Sequence, residues 1–201
     1  MSGEKFPDFN LDSAIVEKAI VEKVLEKGTT EDDFWMQTQL RESAVTLGFI
    51  TRNDLSRIMR WKLKTGKWRP NLQKFVDEAS DEFVREVSTR AFTALRSDDL
   101  KGALTELCKV KGVGPATASA ILSAFDPCKC VFMSDESLLT VLGTKQYTLA
   151  EALKLTKLCS AEAKRRGGTW TANGVQRAVW ATTNNLGSVK RSGGATKRRR
   201  E

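Results

Sequence analysis

An all-α fold of about ten helices is the prediction, and three observations carry it. Apolar residues return at three- and four-residue spacing through most of the chain, which is the period of one helix face. Small polar residues open these runs and glycines close many of them. No stretch alternates polar and apolar residues as a half-buried strand does. Neither a strand–helix–strand pattern nor a GxxxxGK[ST] phosphate loop is present, which argues against nucleotide hydrolysis.

Taken in order, Asp12 or Ser13 caps a first helix reaching Lys27, with Ile15, Val16, Ala19, Ile20 and Val24 as its stripe and Gly28 as its stop. Thr30 is the expected cap of a second helix, which carries Asp32 and Asp33 in its first turn and runs through Phe34, Trp35, Leu40, Ala44 and Leu47 to Gly48. Thr51 with Asp54 forms a capping box that opens a third helix through about Leu63. Residues 71–78 make a short helix. Ser80 caps the next, whose Phe83, Val84, Val87, Ala91, Phe92 and Leu95 share one face. Asp98 and Asp99 start a helix with Leu100, Leu104 and Leu107 on its apolar side, and residues 136–142 are a further apolar segment. Thr148 caps a helix over residues 149–166, where Lys164, Arg165 and Arg166 complement the dipole. Thr171 opens the last helix, through Trp180. The helical domain is therefore expected over residues 1–187, and the Gly/Ser/Lys/Arg-rich residues 188–201 form a disordered basic tail.

Charge points to a polyanionic partner. The chain of 201 residues carries a net +8, but the tail alone holds six basic residues against Glu201. Within the body, residues 1–33 hold nine acids against four lysines, while residues 52–74 hold eight bases against Asp54 alone. Histidine is absent, so acid–base chemistry must rest on carboxylate, Lys, Cys, Tyr or Ser/Thr. Cys108, Cys128, Cys130 and Cys159 lack the paired CxxC spacing of common zinc modules, and no metal site is expected from them. No apolar run approaches the length of a membrane span and MSGEKFPDFN lacks a signal-peptide core, so no membrane partner is expected and the protein reads as intracellular. The run Lys197-Arg198-Arg199-Arg200 resembles a nuclear-import signal.

The most specific stretch is residues 107–135, LCKVKGVGPATASAILSAFDPCKCVFMSD. Two apolar helical segments flank Lys111-Gly112-Val113-Gly114-Pro115, a connector so short that the second must fold back across the first. Glycine at 112 and 114 tolerates positive φ and close backbone approach, and Pro115 suits a first helical turn. Leu107, Val110, Val113, Ala118, Ile121 and Leu122 clamp the pair. The amides near Ala116 and Thr117 then lie at a helix N-terminus, where unpaired donors and the dipole can hold a phosphate without reading a base. Lys109 and Lys111, with Lys129, are candidates for further phosphate contacts.

This segment resembles the helix-hairpin-helix DNA-binding motif. Followed by a Pro-bearing loop and Asp135, it is similar to the HhH-GPD superfamily of base-excision DNA glycosylases. The resemblance implies two lobes around a DNA-receiving cleft, the central lobe over residues 30–126 and the second from residues 1–29 with 127–187. It implies Asp135 as the catalytic carboxylate. Ala116 stands where bifunctional members carry a lysine, which implies a monofunctional enzyme using water. The cysteines that hold an iron–sulfur cluster in many members are missing, so no cofactor is implied beyond a monovalent cation at the hairpin backbone.

The second notable stretch is RIMRWKLKTGKWRP, residues 57–70, where six bases interleave with Trp61 and Trp68 around Thr65-Gly66. Arg60, Trp61, Lys67 and Arg69 are its candidate nucleic-acid contacts, guanidinium and ammonium groups meeting phosphates while indoles stack. The expected partner is DNA, with RNA as the alternative, bound by a monomer. Two functions remain: monofunctional hydrolysis of the N-glycosidic bond of a flipped base, and a non-catalytic helix-hairpin-helix binding module. A pocket lined by aromatic residues and closing on Asp135 favours the first. An Asp135 wholly engaged in backbone capping favours the second.

Overall fold

Polar side chains at the helix starts take over backbone amides that have no intrahelical partner. In the computed structural model, which describes residues 6–7, 12–66 and 69–183, all regular structure among the described residues is helical. Asp12 accepts from the Ala14 and Ile15 amides to start α1 (Ser13–Glu26). The expected Thr51–Asp54 capping box is formed and opens α4 (Arg52–Thr65). Ser80 caps α6 (Asp81–Arg96), Asp99 caps α7 (Leu100–Leu107), Thr148 caps α10 (Leu149–Arg166) and Thr171 caps α11 (Ala172–Thr182).

Three expectations about elements are corrected. The second helix is two, α2 (Thr30–Gln37) and α3 (Gln39–Leu47), because Thr38 leaves helical geometry at φ −120° and ψ −85°. Its hydroxyl donates back to the Phe34 carbonyl at 2.7 Å. Thr30 is the first helical residue rather than a cap, and Thr29 ahead of it makes no side-chain cap bond. The apolar segment after Asp135 forms only a three-residue helix, α9 (Asp135–Ser137), and then a π-helical turn, Leu138–Leu142, closed by Gly143 at φ 69°. Several stripe positions also face outward: Ile15, Phe34, Leu47 and Phe83 are exposed.

One helix organises the rest. α8 (Pro115–Phe125) is buried along all ten residues after its first proline, and it packs against α3, α4, α6, α7 and α10. Its small residues permit this. Ser119 and Ser123 satisfy their hydroxyls on the carbonyls of Ala116 and Ala120. Phe125 stacks on Phe92 with ring centroids 3.9 Å apart. The remaining short helix, α5 (Pro70–Asp77), lies against α4.

The chain's two ends are tied to its middle by buried charge. Arg177 of α11 grips Asp33 of α2 through two hydrogen bonds of 2.7 and 2.8 Å, both side chains being largely buried. Lys23 of α1 is buried at 4% exposure, donates to the Trp180 carbonyl and lies 3.5 Å from Glu136. Burial lowers its pKa, and Glu136 pulls the other way. Asp33→Ala is expected to strand Arg177 without its carboxylate and to lower stability by about 3–5 kcal/mol. A denaturant titration that moves the unfolding midpoint down with unchanged slope checks this.

Candidate nucleic-acid interface and cleft

The hairpin is built by successive tight turns after α7. The amides of Lys109, Val110 and Val113 donate to the carbonyls of Glu106, Leu107 and Val110 at 3.0–3.2 Å, while Val110 and Val113 bury their side chains between the helices. Gly112 takes φ 89°, and a Cβ there would come within 3.0 Å of Phe75 Cβ and 3.2 Å of the Leu72 carbonyl. Both expectations for this glycine, positive φ and close backbone approach, therefore meet at one residue. Gly114 departs from them. Its φ of −104° is open to any residue, and a Cβ would meet nothing within 4 Å. Its role is different: as the N-cap of α8 it has no side chain to occupy the helix end. The amides of Ala116 and Thr117 in that first turn have no side-chain cap; both residues are buried, while Gly114 and Pro115 ahead of them are half-buried.

Asp135 reaches the same place from the other direction. The loop after α8 is pinned by buried polar contacts: the Met133 amide donates to Ser119 Oγ at 3.1 Å, and the Phe132 amide donates to Asn173 Oδ1 at 3.3 Å. Ser134 performs the N-capping of α9, accepting from the Ser137 amide at 3.1 Å, and Gln176 Nε2 donates to the hydroxyl of Ser137 at 2.8 Å. Capping is thus done by Ser134, and the Asp135 carboxylate projects past it. It accepts a hydrogen bond from the Tyr147 hydroxyl and sits 4.0 Å from Lys145 Nζ, with 42% of its side chain exposed.

A cleft of about 340 Å³ joins these parts. Gly112, Gly114, Pro115, Ala116 and Thr117 line it, with Lys62, Thr65, Gly66, Arg69 and Leu72. Residues 132–136, Tyr147, Trp180 and Lys27 complete it. Burial and the Arg69 guanidinium hold the Lys62 ammonium below the usual lysine range, against the pull of the Asp135 carboxylate. The cleft therefore sets positive groups and the start of α8 beside the segment that carries the Asp135 carboxylate.

Of the other candidate contacts, Arg69 lines the cleft, and Arg60 is exposed on α4, where it donates to Ser56 Oγ at 2.8 Å. Lys111 is exposed, its ammonium 4.2 Å from the centroid of the Phe75 ring. Lys109 pairs with Glu106 at 2.5 Å, and Glu106 also accepts from Arg90. Trp61 is a correction: it is 6% exposed and packs on Phe132 with centroids 5.1 Å apart, so it offers no stacking face. Lys129 is another. Its ammonium caps the end of α6, donating to the Leu95 and Arg96 carbonyls and pairing with Asp98 at 2.6 Å. Lys67, Trp68 and the basic tail lie outside the described residues.

Sequence reasoning missed Tyr147 and Lys62 as cleft residues. Lys62 stood within the basic stretch without being singled out, whereas Trp180 is one of the five tryptophans, at 35, 61, 68, 170 and 180, that the sequence offers as candidates for a pocket lining. Tyr147 is the one tyrosine of the chain, but no spacing rule links it to a carboxylate twelve residues earlier.

A family model for the helix-hairpin-helix motif matches residues 103–124, which span α7, the turn and α8. The chain thus carries a helix-hairpin-helix motif, which suggests nucleic-acid binding. Neither among curated proteins nor among solved structures does anything match the chain.

The two glycines separate folding from binding. Gly112→Ala is expected to cost about 1–3 kcal/mol of stability, because it forces an L side chain into left-handed geometry against α5. Gly114→Ala is expected to cost about 0.5–1 kcal/mol, because glycine is a better N-cap than alanine. The same change should weaken duplex binding about tenfold, or about 1.4 kcal/mol, by placing a methyl group in the open space at the start of α8. Thermal melts and fluorescence anisotropy on the two variants measure both quantities.

Proposed function

We propose that this protein is a monofunctional DNA glycosylase of HhH-GPD type, in which Asp135 serves hydrolysis of the N-glycosidic bond of a flipped, damaged or mispaired base. The observation that carries this reading is that Gly112, Gly114, Pro115, Ala116 and Thr117 of the hairpin and Asp135 line one cleft. The division of the lining supports it further. The hairpin with residues 62–72 falls within the proposed central lobe over 30–126, and residues 132–147 with Trp180 fall within the second lobe, formed by 1–29 and 127–187.

The chemistry follows from what each group can do. A base inside a duplex hides its glycosidic bond, so the nucleotide must be extruded, at a cost of a few kcal/mol that is least for damaged or mispaired bases. The Ala116 and Thr117 amides hold a backbone phosphate and fix the register without reading sequence. Lys111 and Arg69 add positive charge nearby. Asp135 then faces a sugar whose C1′ gains positive charge as the base departs, and its carboxylate stabilises that charge while positioning or deprotonating water. Tyr147 holds the carboxylate by hydrogen bond and is a positioning residue. The protein acts in this reading as a nuclear monomer with no cofactor other than a monovalent cation at the hairpin backbone.

The second reading is a non-catalytic nucleic-acid-binding module. The part-exposed Asp135, free of capping duty, favours the enzyme over it. Duplexes carrying uracil, alkylated or oxidised bases, incubated with the protein and then cleaved by hot alkali, decide between them. Base release lost by more than about a hundredfold in Asp135→Asn, the scale on which an acid–base group acts, with binding retained, is the expected result. Binding by both proteins and turnover by neither leaves the module.

A further inference from the structure

α1 is apolar on more than the side it buries. Its sequence repeats Ala-Ile-Val-Glu-Lys at residues 14–18 and 19–23. A shift of five residues turns about 140° around a helix, so the two copies show different sides. Val16, Ala19, Lys23 and Val24 face the fold and are buried, while Val21 and Leu25, one turn apart, stand 58% and 61% exposed. Single exposed aliphatics are ordinary, but this pair, with exposed Ala14 two turns before Val21, makes an unpartnered apolar strip. Exposed Glu17, Glu22 and Glu26 border it, against Lys18, which pairs with Glu22 at 3.9 Å.

Chain exit and charge select the occupant. Trp180 and Ala181 of α11 share an apolar cluster with Ala19 and Val24, and Lys23 donates to the Trp180 carbonyl. The chain therefore leaves α11, at Thr182 and its cap Thr183, beside the C-terminal half of α1. Residues 184–201 follow, with Leu186 and Val189 ahead of Lys190, Arg191 and the run Lys197-Arg198-Arg199-Arg200. A flexible chain spans about 5–6 Å times the square root of its residue count, so Lys190 ranges about 15 Å from Thr183 and Lys197 about 20 Å, against a length of about 21 Å for α1. A second copy would set acid against acid. The segment before α1, with Glu4, Asp8 and Asp12 against Lys5, has the wrong sign.

We propose that residues 184–201 of the chain itself dock on the outward strip of α1, Leu186 and Val189 against Val21 and Leu25, and the basic side chains against Glu17, Glu22 and Glu26. The tether makes this encounter intramolecular, at an effective concentration near millimolar, so weak contacts suffice. Exposed ion pairs are screened, so docking weakens with salt. Basic groups that would add to a nucleic-acid contact are thereby held on the protein's own acids, and a duplex must compete for them. That competition, unlike the docking, rests on the nucleic-acid reading above.

Carbodiimide, which joins amines to carboxylates in direct contact, tests this on the full chain at low protein concentration. The expected product is a monomer in which Lys190 or Lys197 is joined to Glu17, Glu22 or Glu26, located by mass spectrometry after digestion and lost at high salt. Val21→Ser combined with Leu25→Ser alters exposed positions and no charge, and should lower the adduct yield about tenfold, the scale of uncovering two partly buried aliphatic side chains. Undiminished yield in that variant overturns the apolar contact. Adducts spread evenly over exposed Glu42, Glu78 and Glu82 overturn the docking, as does the absence of any tail adduct, which leaves the strip to a separate protein. Adducts from Lys5, or between two chains, also overturn it and give the strip to the preceding segment or to a second copy. An undamaged duplex should lower the adduct yield as it binds. Binding without that loss removes the competition, and no binding at all removes the nucleic-acid reading while the adduct stands.

Discussion

The rest of the structure depends on the bend at Gly112. Left-handed backbone there lets the loop pass within van der Waals reach of Leu72 and Phe75, and that contact fixes where α8 begins. α8 is then buried on every side by five other helices, so its direction is not negotiable once its start is set. A helix so enclosed has only its N-terminus available to a partner. At that terminus Gly114 and Pro115 are half-buried, and Ala116 and Thr117, though buried, are among the residues that line the cleft.

Asp135 is held to the same cleft by a separate set of constraints. Ser119 on α8, and Asn173 and Gln176 on α11, all bond to the loop or the short helix that carries it. Because these polar side chains are buried, each lost partner would leave a desolvated group, a cost of about 1–3 kcal/mol apiece. The carboxylate itself is only lightly constrained. Its pairing with the exposed Lys145 contributes at most about 1 kcal/mol, whereas the hydrogen bond from Tyr147 is charge-assisted and stronger, about 1.5–3 kcal/mol. Orientation of the carboxylate therefore rests on Tyr147, and its location on the serine–glutamine network. Lys62 and Arg69, which line the same cleft, make that region positive without forming a close ion pair with it among the described residues.

Much of this was legible in the sequence where the signal is local. Capping residues announce helix starts because a short side chain and an amide three residues on are enough to make the bond, as Thr51, Ser80, Thr148 and Thr171 illustrate. The hairpin was legible for the same reason, its glycines and proline being adjacent in the chain. Thr38 was not, since a threonine inside an apolar periodic run looks like any helix residue, and only its backbone departs from helical geometry. Trp61 was misjudged because an indole among lysines suits both a stacking platform and a core anchor, and only the position of Phe132, seventy-one residues later, distinguishes them. Lys129 failed similarly. Its partners are the carbonyls ending α6, and no pattern around residue 129 reveals that they lie within reach. Tyr147 and Lys62 converge on Asp135 through tertiary packing alone.

The central claim is that duplex DNA seats its backbone on the hairpin amides next to Asp135. Titrating isotope-labelled protein with an undamaged duplex and following backbone amide resonances tests it most directly. The account predicts that the largest shifts fall on Gly112 to Thr117 and extend to Lys62, Gly66 and Arg69, with the buried Trp61 indole unmoved. Shifts confined to another surface, such as the basic end of α10 at Lys164–Arg166, with the hairpin amides silent, would contradict it.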